Sequence, residues 1–330
     1  MAALLIGSLH RLARTALAAL VLGAAACAAG AQADTEAACP PQAQALTPEQ
    51  VQLGMRQAQD HGFLWRISRD DRVSYLYGTL HIARPQWMFP GAKVMQALRA
   101  SDSIALELDL LDADIQARMA KAMAADPARR LPDGLAARLS AQHQLACLPE
   151  EAMARIAPEI QLAALTTLAA RRDGLDPSYA IDAFLAGMGR GMRKPVLSLE
   201  SPEAQVALLK GDPAASLKTL EQGLEQLEGG QTRPLLKRVA QAWADARFDE
   251  LVRYEAWCEC VKTEDDRAAM KRLLDDRNPG LAERIDALHR AGQRVFAAVG
   301  SLHMIGPLGL PALMAQRGYL VEHVEFKSAP

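Results

Sequence analysis

Tyr75–Ala83 reads YLYGTLHIA, and Val295–Gly306 reads VFAAVGSLHMIG. Each is an apolar, strand-forming run that stops at glycine and passes through a small hydroxyl residue and leucine to histidine. Runs of this kind predict buried strands. Glycine at the exit lets the backbone turn tightly and lets another group approach it closely. Two such exits in one chain place Gly78, Thr79 and His81 at one strand end and Gly300, Ser301 and His303 at another.

Working outward, Phe63–Ser68 and Val73–Tyr77 flank Arg69-Asp70-Asp71 and predict a hairpin. Short apolar runs at Ile104–Leu108, Val196–Leu199, Val295–Val299 and Val321–Phe326 predict further strands. Helix-forming sequence fills residues 112–192, interrupted at Pro127, Pro132, Pro149, Pro158 and Gly174, and returns from Pro202 to Arg290. Strands alternating with helices predict an α/β fold. The expectation is a central mixed sheet with flanking helices, occupying residues 61–330 as one domain. A large helical insertion at 112–192 would form a cap. Residues 34–60 read as a polar leader containing one helix, with Thr47 as N-cap, Pro48 in the first turn and Gln50 completing a capping box.

Before that leader, Arg11 and Arg14 precede the uncharged run TALAALVLGAAA, and Ala31-Gln32-Ala33 follows. A basic start, an apolar core and an A-x-A exit make residues 1–33 a signal peptide, with cleavage after Ala33. The predicted destination is the periplasm or the exterior. Cys27 stands where a lipoprotein cysteine could, but Ala24-Ala25-Ala26 lacks the usual large aliphatic residue, so tethering there is the lesser alternative, beside a retained N-terminal anchor. A third copy of the turn, Gly7-Ser8-Leu9-His10, would leave with this segment. The rest of the chain carries no run that predicts a membrane span.

Of 330 residues, half are apolar, and the formal charge is −2 with basic residues scattered, which gives no electrostatic basis for binding nucleic acid. Without Cys27, four cysteines remain: Cys39, Cys147, Cys258 and Cys260. In an oxidising compartment they predict two disulfides. Cys258 and Cys260 read as too close to bridge each other, so each is expected to reach a distant partner.

Ligands in open α/β sheets gather beyond the carboxyl ends of strands. Four strand exits here carry an acid or an imidazole: His81, Glu107, Glu200 and His303. Two neutral imidazoles and a carboxylate suit a divalent cation with an open position, which would polarise a carbonyl or lower the pKa of bound water. Thr79 and Ser301 offer hydroxyls to orient a ligand or water. Asp109, two residues beyond Glu107, is expected on the same side of the strand. Glu200 alternatively favours the start of the helix after Ser201. His61, His143, His289 and His323 read as surface residues.

The ordered blocks LWRISRDDRVSYLYGTLHIA, IALELD, GLDPSYAIDAFL, KPVLSLESPEAQ, DDRNPGLAERI and VFAAVGSLHMIGPLGLPALMAQRGYLVEHV, between Leu64 and Val324, resemble the TraB/PrgY/GumN family. Its relatives include the Tiki metalloproteases. The resemblance implies a metal-dependent protease using His81, His303 and Glu107, with Arg277 and Asn278 matching an Arg-Asn pair that orients substrate. The competing reading of Asn278-Pro279-Gly280 is a helix end. The expected function is a secreted metal-dependent hydrolase of peptides or other small substrates. His81 and His303 would bind Mn, Co or Zn. Glu107 would be third ligand or general base, and Arg277 would pair with a substrate carboxylate or oxyanion. The alternatives are a metal-free His/Glu hydrolase and a non-catalytic peptide- or haem-binding envelope protein.

Overall fold

A computed structural model describes residues 39–326. The expected signal peptide, residues 1–33 with Cys27, lies outside the described residues. Six strands form one sheet: β1 (Phe63–Arg69), β2 (Arg72–Thr79), β3 (Ser103–Leu106), β4 (Val196–Ser198), β5 (Val295–Gly300) and β6 (Leu320–Val324). Their order is β4-β3-β5-β2-β1-β6. β1 and β2 make the expected hairpin, turning through Asp70 and Asp71, both at positive φ. β2, β5, β3 and β4 run parallel, while β1 is antiparallel to both β2 and β6, so the sheet is mixed.

β3 and β5 lie inside the sheet, and Ile104, Ala105, Leu106 and Val295–Val299 are all buried, as continuous apolar runs in parallel strands should be. Helices flank this sheet. Those between β3 and β4 pack on those between β4 and β5: Ala113–Met123 meets Pro202–Lys210, and Pro158–Leu168 meets Ser216–Glu228. Both helical stretches therefore wall the space beyond the strand ends. The leader helix Pro48–Gln57 carries the capping box between Thr47 and Gln50.

The two Gly-x-Leu-His turns interlock. Register pairs Gly78 with Val299 and Thr79 with Gly300. The Ser301 hydroxyl donates to the Thr79 carbonyl at 2.9 Å. Buried Trp243, on the helix Thr232–Ala244, donates its indole N–H to the Gly78 carbonyl at 2.7 Å.

Three expectations fail here for identifiable reasons. Asn278-Pro279-Gly280 opens the helix Asn278–Arg290 instead of ending one; proline in a first turn gives up no intrahelical hydrogen bond. Cys258 and Cys260 bridge each other, and Cys39 pairs with Cys147. Glu259 adopts φ 53°, which turns the chain so that the Cys258 and Cys260 Cα atoms stand 5.1 Å apart, inside ordinary disulfide range. Finally, His143 and His289 are buried. His143 faces Glu150 at 3.4 Å, and the His289 ring contacts the Ser74 hydroxyl at 2.9 Å and the Arg69 carbonyl at 3.2 Å.

A Cβ added at Gly78 would stand 2.9 Å from Ser301 Oγ and 3.3 Å from Ser301 Cα. Gly78→Ala is therefore expected to lower stability by about 1–3 kcal/mol through overpacking. Chemical denaturation measures this as a lower unfolding midpoint; an unchanged midpoint would mean that the turns do not depend on this close approach.

Candidate active site

The parallel strands end on one edge of the sheet, and the candidate residues follow directly. Glu107 comes one residue after β3, Glu200 two after β4, His81 two after β2 and His303 three after β5, within the 3₁₀ turn Ser301–Met304. The backbone continues to pair beyond the strands, with the Leu199 N–H donating to the Leu106 carbonyl and the Glu200 N–H to the Glu107 carbonyl. The two carboxylates are thereby held side by side. Gly300 admits Glu107: its N–H donates to Glu107 Oε1 at 2.8 Å, and a Cβ there would meet that oxygen at 3.2 Å. The same point lies 3.6 Å from His303 Cδ2 and 3.7 Å from His81 Nε2, so the two imidazoles are close neighbours.

Arg277, just before the helix Asn278–Arg290, occupies the centre. Its Nε donates to Glu200 Oε1 at 2.9 Å, and its Nη2 donates to Glu107 Oε2 at 2.5 Å and also to Glu200 Oε2. Nη1 donates to the Leu273 carbonyl at 2.9 Å and to His303 Nε2 at 3.0 Å. A guanidinium has five N–H donors, and all five are engaged here. The expected free donor for a substrate carboxylate or oxyanion is therefore absent from this arrangement.

That network fixes the state of His303. Asn278 Nδ2 donates to the Leu308 carbonyl at 2.8 Å, which turns the amide oxygen toward His303 Nδ1 at 2.6 Å. Nδ1 must then carry the proton, and the Nε2 lone pair accepts from Arg277. Burial pushes the His303 pKa down to about 4, with Arg277 assisting and Glu107 opposing. His303 is a neutral imidazole with both nitrogens used. Burial disfavours the charge on Glu107, but His303, His81, Arg277 and the Gly300 N–H outweigh it and hold the carboxyl well below its ordinary range.

His81 differs. Its side chain is 53% exposed, with Nδ1 3.3 Å from Asp182 Oδ1 and Nε2 3.9 Å from Glu107 Oε1. Burial lowers its pKa, but on a half-exposed ring the Asp182 and Glu107 carboxylates prevail and raise it above 6.5. Asp182 lies in the first turn of the helix Ile181–Gly191, whose Ile181 N–H donates to the Leu80 carbonyl beside the first glycine turn. Upstream, Ala83 and Asp176 exchange backbone hydrogen bonds. The segment GLDPSYAIDAFL is thus zipped onto the strand exit that carries His81.

Asp182 and Gln205 are the site residues that the sequence reading passed over. Gln205 donates to Glu200 Oε2 at 2.8 Å and to Glu107 Oε2 at 3.2 Å. The blocks GLDPSYAIDAFL and KPVLSLESPEAQ contained both, but nothing in their local pattern announces a polar contact across the fold. Other expectations resolve as scaffold. Thr79 and Ser301 are buried, Ser301 bonding the Thr79 carbonyl. Asp109 leaves the site, because β3 ends at Leu106; the carboxylate pairs with Arg190 at 2.7 Å. Glu200 joins the Arg277 network, and Ser201 caps the following helix.

The residues as placed do not fit the expected three-ligand cation site. His303 has no free lone pair, and Glu107 already accepts from Gly300, Gln205 and Arg277. Among the described residues, no group of three His, Cys, Asp or Glu side chains is placed to hold a metal. A permanent guanidinium charge sits where such an ion would have to share Glu107 with His303.

Beyond the polar groups lies a cleft of about 250 Å3. His81, Glu107, Asp182 and Arg277 reach its polar end, and Leu108, Leu110, Ile160, Ala164, Leu209 and Leu273 contribute its apolar wall. Among the described residues, no helix is long and apolar enough to cross a membrane.

The TraB/PrgY/gumN family pattern matches residues 63–323, which includes every residue of this site. An uncharacterized protein of Shigella flexneri, YbaP, is 23% identical over 246 residues, covering 74% of this chain and 88% of that protein. No solved structure matches the chain significantly.

If Arg277 is the cation of the site, removing it frees Glu107, Glu200 and the His303 lone pair together. Arg277→Met is expected to bind Mn, Co or Zn at least about ten-fold more tightly than the wild type, a difference of about 1.4 kcal/mol. Calorimetric titration of both proteins measures it, and added metal should raise the melting temperature of the variant only. Tighter binding by the wild type would contradict the placement of Arg277.

Proposed function

The chain belongs to the TraB/PrgY/gumN family, and we propose that it is a hydrolase of peptides or similar small acyl substrates that uses His81 as its general base. The observation that carries this reading is the Asp182–His81 pair on the wall of an apolar-lined cleft, with Glu107 Oε1 no closer than 3.9 Å to Nε2. Asp182 accepts from Nδ1–H and so leaves the Nε2 lone pair to take a proton from water. The water then attacks a carbonyl held in the cleft, and the imidazolium formed is stabilised by Asp182 and Glu107. The same imidazolium returns its proton to the leaving group. Glu107 stays ionised throughout, while Arg277 and Gly300 hold it in place. The apolar wall favours substrates with an apolar side chain next to the scissile bond.

This modifies the metal-free His/Glu alternative, with Asp182 in place of Glu107 as the carboxylate that orients the base; it is preferred because the donors needed for a shared ion are committed elsewhere. Two disulfides among the described residues suit an oxidising compartment and so support export.

The test is cleavage of a peptide library by the mature protein, with and without EDTA. Turnover retained in EDTA and reduced about 10²–10⁴-fold by His81→Ala is the expected result. Complete loss in EDTA, restored by added metal, would return the assignment to a metal-dependent hydrolase. Recovery of bound peptides unchanged would favour a binding protein.

The pH dependence follows from the same pair. His81 must be neutral to act as base, and its two carboxylate neighbours raise its pKa. Activity should therefore rise with pH through a midpoint above 6.5. Asp182→Asn removes one of those charges and should move the midpoint down as well as slow the reaction. A slower variant with an unmoved midpoint would show that Asp182 does not act on His81.

A further inference from the structure

A second cavity, larger than the catalytic cleft, lies apart from it. It is a groove of about 1250 Å3 on the other side of the helix Pro158–Leu168. Ile160, Ala164 and Thr167 of that helix face the cleft, whereas Leu165 and Leu168 line the groove. The helix is a shared wall, so the two sites are separate.

The groove is cationic. Among the described residues, Arg84, Arg233, Lys237, Arg238 and Arg247 line it, against the acid Glu228. Neighbouring acids offset this only in part, because Asp173 and Glu250 each serve two cations. Asp173 pairs with both Arg233 and Lys237. Glu250 pairs with both Arg238 and Arg247, and Asp245 with Arg247 as well. Glu228 pairs with Arg138, outside the lining. Arg84 lies over the Trp87 ring at 5.1 Å. A net positive charge therefore remains along the groove, unlike the near-neutral chain as a whole.

The pattern of the lining is as informative as its sign. Arg233, Lys237 and Gln241 stand one turn apart on the helix Thr232–Ala244 and run along one wall for about 12 Å. Leu165, Leu168, Leu175 and Trp87 line the same groove, and Arg84 lies directly over Trp87. A uniform polyanion has no apolar groups for these surfaces. A lipid gathers its charge at one end. The volume also exceeds the roughly 300–1,000 Å3 of small-molecule clefts.

We propose that this groove binds an acidic peptide segment whose carboxylates are interspersed with apolar side chains. The carboxylates pair with Arg84, Lys237 and Arg247, and the apolar side chains cover Trp87 and the leucines. Binding here is independent of the His81 chemistry.

The test is fluorescence anisotropy with a labelled Glu/Leu peptide, beside Lys/Leu and Glu/Ser peptides of equal length. The Glu/Leu peptide should bind saturably and more weakly as salt rises. The variant Arg84→Gln/Lys237→Gln/Arg247→Gln should bind it at least about ten-fold more weakly. This variant leaves Asp173 to Arg233, Glu250 to Arg238 and Asp245 to Gln241. Arg84→Gln alone should shift affinity in the same direction and serves if the triple variant unfolds. His81→Ala should leave binding unchanged, which separates groove from cleft. Equal binding of the Lys/Leu or Glu/Ser peptide, an unaffected Arg84 variant, or full competition by phosphatidylglycerol vesicles would overturn the assignment.

Discussion

The guanidinium of Arg277 between Glu107, Glu200 and His303 is the contact on which the site depends. Two carboxylates at neighbouring strand ends would repel each other, and each is costly to bury alone. Arg277 pairs with both and still supplies a donor to His303. Removing one member of such a buried set typically costs about 3–5 kcal/mol, because its partners are left charged and unpaired. The parallel sheet makes the set possible by ending four strands on one edge. Glycine at Gly300 makes it tight, since a side chain there would crowd Glu107.

This single network also divides the labour of the two histidines. His303 is buried, neutral and bonded at both nitrogens, so it belongs to the frame. His81 is half exposed, paired with Asp182 on Nδ1, while Nε2 stands 3.9 Å from Glu107, beyond hydrogen-bond distance. Similar sequence contexts thus yield different chemistry. The first turn faces the cleft and is met by the helix Ile181–Gly191. The second is roofed by Arg277 and Asn278 from the start of the helix Asn278–Arg290.

Much of this was legible in the residues because strand exits are local signals. Apolar runs ending at Gly78 and Gly300 located the two turns, and the short runs before Glu107 and Glu200 placed both acids on the same sheet edge. Arg277 and Asn278 were marked by resemblance, but their role was not, since it depends on a helix folding back over the strand ends. Asp182 and Gln205 were missed for the same reason: their contacts across the fold, to His81 and Glu107, span 101 and 98 residues. Asn278-Pro279-Gly280 contains letters that both start and stop helices, and only the packing of Asn278 on His303 and the Leu308 carbonyl decides between them. The bridge from Cys258 to Cys260 depended on a positive φ at Glu259, which a non-glycine residue does not advertise. The large groove was also invisible in sequence, because its cations come from several helices and loops and are scattered in order.

The most direct test of the Arg277-centred site is the protonation of its two histidines. Nitrogen NMR of protein carrying 15N-histidine, followed from pH 4 to pH 9, reads each ring separately. The account predicts that His303 stays neutral with its proton on Nδ1 down to about pH 4, while His81 titrates above 6.5. A His303 that titrates near 6.5, or carries its proton on Nε2, would contradict a site organised around Arg277.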